Sequence, residues 1–263
     1  MKEGKTMRVT TTDTKQKNWT KEDLAKAIDH TVLKPTAIDK DIDNGARIAI
    51  EHNLRAFVVE PHYAAYVIRK KLLENTNVLC ASVCDFPKAG STTDMRVIAI
   101  KELLKLGVDE IDIVSKFYLL LEKNYSEFNR DIKAVTQAMR GKTLKIILEC
   151  DYLDESQIRK AVSIICEVAK EEKAKNLIVK TNTGFAEGEV SKPRLLNIDT
   201  VRYIRETLEE HSLYAENIED IAQGKIGIKA SARIKTKDDA IPLLDKGVHI
   251  LGTSSGDKII AGY

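Results

Sequence analysis

The sequence predicts an α/β protein folded as a single parallel (β/α)8 barrel of the TIM type. Three observations carry this expectation. Short apolar runs alternate eight times with longer stretches of helical period, the pattern of parallel strands joined by crossover helices. The chain has 263 residues, and such a barrel takes roughly 250. No Gly-x-Gly-x-x-Gly fingerprint opens the first helix, so the competing arrangement, a doubly wound open sheet, lacks its nucleotide-binding turn.

The elements follow in order. Residues 1–18 are polar with Thr and Lys runs. They lack the apolar core of a secretory signal and are expected to form a flexible tail before a barrel domain over 19–263. The strands are expected at Ala27–His30, Ala56–Glu60, Val78–Asp85, Glu110–Val114, Leu144–Cys150, Leu177–Lys180, Ile226–Lys229 and His249–Gly252. Each is a short apolar run of strand length. Between them, 3.6-residue periodicity predicts helices over Asp39–His52, Tyr63–Glu74, Thr93–Leu106, Tyr125–Arg140, Glu155–Glu172, Asn197–His211 and Lys237–Lys246. Asp154 is placed to N-cap the fifth, and Gly107 and Gly247 follow their helices as stops. A last helix follows Ser255, and Gly184–Pro193 reads as a loop over the sixth strand.

Composition narrows the function. Lys and Arg total 42 against 40 Asp and Glu, a net charge of +2, which gives no reason to expect nucleic acid as a partner. No apolar run approaches the roughly 20 residues that cross a bilayer. Cys80, Cys84, Cys150 and Cys166 are not at zinc-site spacing and, as scattered thiols, suit the cytoplasm. The five histidines form no spaced motif, so no metal is expected, and His30 is expected to hydrogen-bond within the barrel mouth.

Strand alternation exposes the chemistry. In a barrel, alternate residues point inward. With Ile111 and Ile113 facing the helices, Asp112 points in. The same parity sends Lys145 and Glu149, Lys180, and Lys229 to the inner side. A parallel sheet is covered on both faces, so these are not simply solvent-facing residues, and charges there must pair or change protonation. Three lysines face two carboxylates, which leaves one amine short of a counter-charge and easiest to deprotonate. A neutral amine is the nucleophile of Schiff-base chemistry. Lys180 and Lys229 stand at strand ends, where barrel sites are built, and their mutual repulsion favours a neutral amine. Lys145 and Glu149 read equally as a structural ion pair or as groups that tune Lys180.

The stretch Val179-Lys180-Thr181-Asn182-Thr183-Gly184-Phe185 resembles the Schiff-base motif of deoxyribose-phosphate aldolases. Asp29-His30-Thr31, Asp109-Glu110-Ile111-Asp112, Lys145-Ile146-Ile147-Leu148-Glu149, Gly227-Ile228-Lys229-Ala230-Ser231 and Gly252-Thr253-Ser254-Ser255-Gly256 match in the same order. The resemblance implies reversible, metal-free and cofactor-free cleavage of 2-deoxyribose 5-phosphate to acetaldehyde and glyceraldehyde 3-phosphate. Lys180 would be the nucleophile, Lys229 the second lysine that keeps it neutral and shuttles protons, and Asp112 the acid/base residue acting through water. Asp29, Lys145 and Glu149 would support them. Thr183, Gly184, Ser231, Ala232, Arg233, Gly252, Thr253, Ser254 and Ser255 would surround the substrate and its phosphate. The partner would be a small phosphorylated sugar; a homo-oligomer stays open.

The chain departs from the family at several points. Gly-Gly is usual where Ala232 and Arg233 stand, Gly at Ala89, a small residue at Val58, and a smaller polar residue at Lys116. Arg233 either folds over the site or gives the phosphate a bidentate cation; the second is expected. The alternatives are a family barrel for unphosphorylated aldehydes and a non-catalytic binding protein. The terminal Tyr263 looks too close to Ser255 to reach the site.

Overall fold

A computed structural model describes residues 18–187 and 197–262 of the chain. The expected tail, apart from Asn18, most of the loop after the sixth strand, and Tyr263 lie outside the described residues. Eight parallel strands close into a barrel in sequence order: β1 Ile28–Val32, β2 Ala56–Val59, β3 Leu79–Cys84, β4 Glu110–Val114, β5 Thr143–Ile147, β6 Leu177–Lys180, β7 Ile226–Ser231 and β8 Ile250–Thr253. Around them lie α1 Lys21–Ala27, α2 Asp39–Glu51, α3 Pro61–Arg69, α4 Thr93–Leu106, α5 Tyr118–Leu121, α6 Tyr125–Ala138, α7 Glu155–Glu171, α8 Asn197–Glu210, α9 Lys237–Asp245 and α10 Gly256–Ala261. The single-domain (β/α)8 barrel is as the apolar periodicity predicted.

Local chemistry sets the boundaries. Asp154 caps α7 in a reciprocal box with Gln157, and Gly107 ends α4 at φ 101, a conformation that costs glycine little. α1 was not anticipated. Thr20 and Asp23 form its capping box and Leu24, Ala25 and Ala27 are buried, so Ala27 ends a helix instead of opening a strand. β5 stops at Ile147, two residues before Glu149, whose backbone turns left-handed at φ 57 and starts a 3-10 turn over Cys150–Tyr152. β7, by contrast, continues two residues beyond Lys229 to Ser231.

The core between sheet and helices is aliphatic. Ile111, Ile113, Leu144, Ile146, Leu177, Val179, Ile226 and Ile228 all pack outward against the helices. Their strand neighbours therefore point into the barrel. The interior along β2 and β3 is lined by small apolar groups, Ala56, Val58, Ala81 and Val83, and the opposite arc carries the charges.

Candidate active site

The barrel register brings the inward charges together. Asp112 pairs with Lys145 across β4 and β5, and Lys180 with Lys229 across β6 and β7. Lys180 ends β6 and its Nζ donates to Asp112 Oδ2 at 2.8 Å. Lys229 Nζ donates to the same oxygen at 2.8 Å and to Asp29 Oδ2 at 2.5 Å. Lys145 Nζ stands 2.9 Å from Asp29 Oδ2, 2.6 Å from Glu110 Oε2 and 3.0 Å from Asp112 Oδ1. Arg55 closes the network from below, on Asp29 Oδ1 at 2.6 Å and on both Glu110 oxygens. Asp29, Asp112, Lys145 and Lys229 are fully buried and Lys180 nearly so.

Of the two readings open for Lys145 and Glu149, the structural ion pair between them is not formed. The left-handed turn at Glu149 breaks the strand alternation, and its carboxylate accepts the Thr183 N–H at 3.2 and 3.3 Å. Asp29, Glu110 and Arg55 take its place. Four cations, Arg55, Lys145, Lys180 and Lys229, thus meet three carboxylates, Asp29, Glu110 and Asp112. Glu110 was within reach of sequence reasoning, since the parity that points Asp112 inward also points Glu110. Arg55, just before β2, carried no such signal.

The excess of positive charge falls unevenly. Burial pushes the Lys229 ammonium down to about 8; Asp112 and Asp29 oppose the shift, and Lys145 and Lys180 add to it. For Lys145 burial acts in the same sense, but Asp112, Asp29 and Glu110 outweigh it and hold its ammonium above the ordinary lysine range. Burial disfavours the Asp112 carboxylate, yet Lys145, Lys180 and Lys229 outweigh that and hold it well below the usual carboxylate range. The three lysines therefore favour the ionised form of Asp112, and the fold disfavours the charge on Lys229.

Above this bed lies a cleft of about 440 Å³ at the C-terminal mouth, within the size range of small-ligand sites. Lys180, Thr183, Gly184, Ser231, Ala232, Arg233, Gly252, Thr253 and Ser254 line it. Ser255 does not; it stands at the N-cap position of α10 without a side-chain cap, and its N–H donates to Thr253 Oγ1 at 2.9 Å. Asp29, Asp112, Lys145, Glu149 and Lys229 lie outside the cleft wall. The expected hydrogen bond of His30 is absent at one nitrogen: Nδ1 has no partner among the described residues. Its ring stacks on Phe57 at 6.3 Å, and burial pushes its pKa down to about 4.

The turn where Gly-Gly is usual keeps a glycine-type backbone without glycine. Ala232 has φ 70 and Arg233 φ 59, and Ala89 has φ 56. Arg233 neither folds across the cleft nor stands unattached: its two terminal nitrogens donate to Asp151 at 2.8 and 2.9 Å. Sequence reasoning missed Asp151, which lies beyond the break at Glu149. Among the described residues, no group of three His, Cys, Asp or Glu side chains could hold a metal ion, and no helix is long and apolar enough to cross a membrane.

Fold and site together define a (β/α)8 barrel that presents the Lys180 amine to its cleft above a buried bed of lysines and carboxylates. No protein-family profile matches the chain. The deoxyribose-phosphate aldolase of Acholeplasma laidlawii is 35% identical over 235 residues, which cover 89% of this chain and 93% of the relative. That of Dictyoglomus turgidum is 34% identical over 240 residues, 91% of this chain and 97% of its own. This chain belongs to the deoxyribose-phosphate aldolase family. Solved structures agree. The aldolase QR15 superposes with a TM-score of 0.75 at 27% identity, covering 91% of this chain and 95% of its own. The tetrameric deoxyribose phosphate aldolase of Aeropyrum pernix gives 0.70 at 26% identity, covering 92% and 91%.

Proposed function

We propose that the protein cleaves 2-deoxyribose 5-phosphate reversibly to acetaldehyde and glyceraldehyde 3-phosphate through an imine on Lys180. The observation that carries this reading is that Lys180 lines the cleft while its Nζ shares one Asp112 oxygen with Lys229. Lys229 as the neutral amine takes a proton from Lys180, the freed Lys180 amine adds to C1 of the open-chain aldehyde, and return of the proton to the departing hydroxyl releases water and leaves a protonated imine. A base takes the C3 hydroxyl proton, the C2–C3 electron pair flows into the imine, and glyceraldehyde 3-phosphate leaves an enamine behind. Protonation at C2 and hydrolysis release acetaldehyde and restore the amine. The imine is the electron sink, so the reaction requires no cofactor.

The family resemblance makes Asp112 the acid/base residue. We assign it that role, acting through water, while its Oδ2 also holds Lys180 and Lys229 together at 2.8 Å from each. Lys229, at about 8, is placed to carry protons with it. The substrate's phosphate is assigned to the wall formed by Gly184, Gly252, Thr253, Ser254 and Arg233. Such a cleavage belongs to deoxyribonucleotide catabolism, the four free thiols fit the cytoplasm, and a homo-oligomer is the assembly we favour.

One observation favours a second reading. Arg233 already has a carboxylate partner in Asp151, which would suit an unphosphorylated aldehyde. Two measurements test the proposal. Borohydride with acetaldehyde should leave an ethyl group on Lys180; the label on Lys145 or Lys229, or on no lysine, would refute the mechanism. Deoxyribose 5-phosphate should exceed deoxyribose in kcat/KM by more than about a hundredfold, since charge-assisted hydrogen bonds are worth roughly 1.5–3 kcal/mol each. A ratio near unity would support the unphosphorylated substrate.

A further inference from the structure

The Asp151–Arg233 pair stands apart from the lysine network and joins three mouth loops. Asp151 is 3% exposed, and its N–H donates to Asn182 Oδ1 at 3.0 Å. Ser231 Oγ donates to the Asn182 carbonyl at 2.5 Å, and Asn197 Nδ2 to the Ala232 carbonyl at 2.7 Å. The connections after β5, β6 and β7 are thus tied together, and Ser231, Ala232 and Arg233 carry the network to the cleft wall. Both partners depend on left-handed backbone, at Glu149 on one side and at Ala232 and Arg233 on the other.

Two behaviours are conceivable when an anion enters. Arg233 could leave Asp151 and swing to the ligand, or it could stay and offer the ligand its other edge. The geometry favours staying. Departure would break a bidentate, rigid fork on a buried carboxylate. A guanidinium has five N–H donors, of which Asp151 takes two, so an anion needs no exchange to be bound.

We propose that Asp151 is the positioning residue for Arg233: it clamps the guanidinium at the cleft wall so that the remaining N–H edge meets the anionic end of the substrate. The pair as a unit sets the preference for a phosphorylated over a neutral sugar. This rests on the reading that the substrate is phosphorylated.

The test is the KM and kcat of the full-length protein for deoxyribose 5-phosphate and for deoxyribose, in wild type, Arg233→Gln, Asp151→Asn and the double variant. Arg233→Gln should raise KM for the phosphorylated sugar about ten- to a hundredfold more than it raises KM for deoxyribose. Asp151→Asn should raise the same KM by about three- to thirtyfold, the range set by reordering a freed arginine side chain. The double variant should match Arg233→Gln alone, because Asp151 acts only through Arg233. A lower KM in Asp151→Asn would show that Asp151 competes with the substrate, and additive losses in the double variant would show that it acts by itself; each overturns the proposal. If Asp151→Asn does not fold, Arg233→Gln decides: an unchanged KM in a wild-type background that discriminates refutes the proposal and leaves the phosphorylated substrate standing. A wild type that does not discriminate sinks the substrate reading itself.

Discussion

Lys145 and Lys229 are both fully buried among the same carboxylates, yet their replacement should have unequal consequences. Lys145 touches Asp29, Glu110 and Asp112 and its charge is favoured by the fold. Lys145→Met leaves those carboxylates to Arg55, Lys180 and Lys229, and breaking a buried pair in this way costs about 3–5 kcal/mol. Lys229 is in the reverse position. Its amine falls from 10.5 to about 8, and at about 1.36 kcal/mol per pH unit its charge costs the folded state roughly 3 kcal/mol. Asp29 keeps Lys145 and Arg55, and Asp112 keeps Lys145 and Lys180. Lys229→Leu should therefore be close to neutral in stability at pH 7.

The sign gives a sharper test. Below pH 8 the amine is charged in both folded and unfolded chains, and the full cost is present. Between about 8 and 10.5 the folded chain has released a proton that the unfolded chain still holds, so stability rises with pH through that window. The variant lacks this rise. Urea unfolding of wild type, Lys145→Met and Lys229→Leu from pH 7 to pH 10 measures it, and wild type should gain roughly 3 kcal/mol on Lys229→Leu across the window. The pH–rate profile should lose an inflection near pH 8 in the same variant. A Lys229→Leu protein as unstable as Lys145→Met, or a difference from wild type that does not change with pH, would refute the assignment of the excess charge to Lys229.

Two further outcomes follow from single residues. His30 is buried with its pKa pushed from 6.5 to about 4, so the unfolded chain takes up a proton first as pH falls and the fold loses roughly 3 kcal/mol across that window; His30→Leu should flatten the dependence of Tm on pH between 6.5 and 4, and an unchanged slope would assign it to other groups. Ala232 is held at φ 70, where a non-glycine residue gives up about 1–2 kcal/mol, so Ala232→Gly should raise stability by about 0.5–1 kcal/mol after the greater freedom of glycine in the unfolded chain is subtracted; a loss measured in urea would show that the methyl contact outweighs the strain.

What the sequence makes legible here is whatever depends on neighbours along the chain. Ile111 and Ile113 on one side of β4 dictate that Asp112 lies on the other, and the same local rule places Lys145, Lys180 and Lys229. The rule fails where the strand fails. Glu149 belongs to the inner set only if β5 continues past Ile147, and the left-handed turn that prevents this has no glycine to announce it. The same silence covers Ala232, Arg233 and Ala89, where residues without glycine's freedom occupy its conformation. Asp151 was hidden for that reason: its place opposite Arg233 follows from two such turns, 82 residues apart.

The charge tally illustrates which errors matter. Strand parity counted three lysines against two carboxylates; the structure has four cations against three carboxylates, with Glu149 removed and Asp29, Glu110 and Arg55 added. An excess of one cation emerges both times, because a sum tolerates exchange among its members. Which amine bears the excess is a different kind of quantity. It depends on how many carboxylate oxygens each nitrogen reaches, and these contacts join residues as distant as Asp29 and Lys229, 200 positions apart. Lys145 reaches three carboxylates and keeps its proton; Lys229 reaches two, shares one of those oxygens with Lys180, and holds its proton less tightly. The chemistry of the site therefore turns on a sharing of Asp112 Oδ2 that no local pattern encodes, while the need for a mobile proton somewhere among these lysines was already implied by their number.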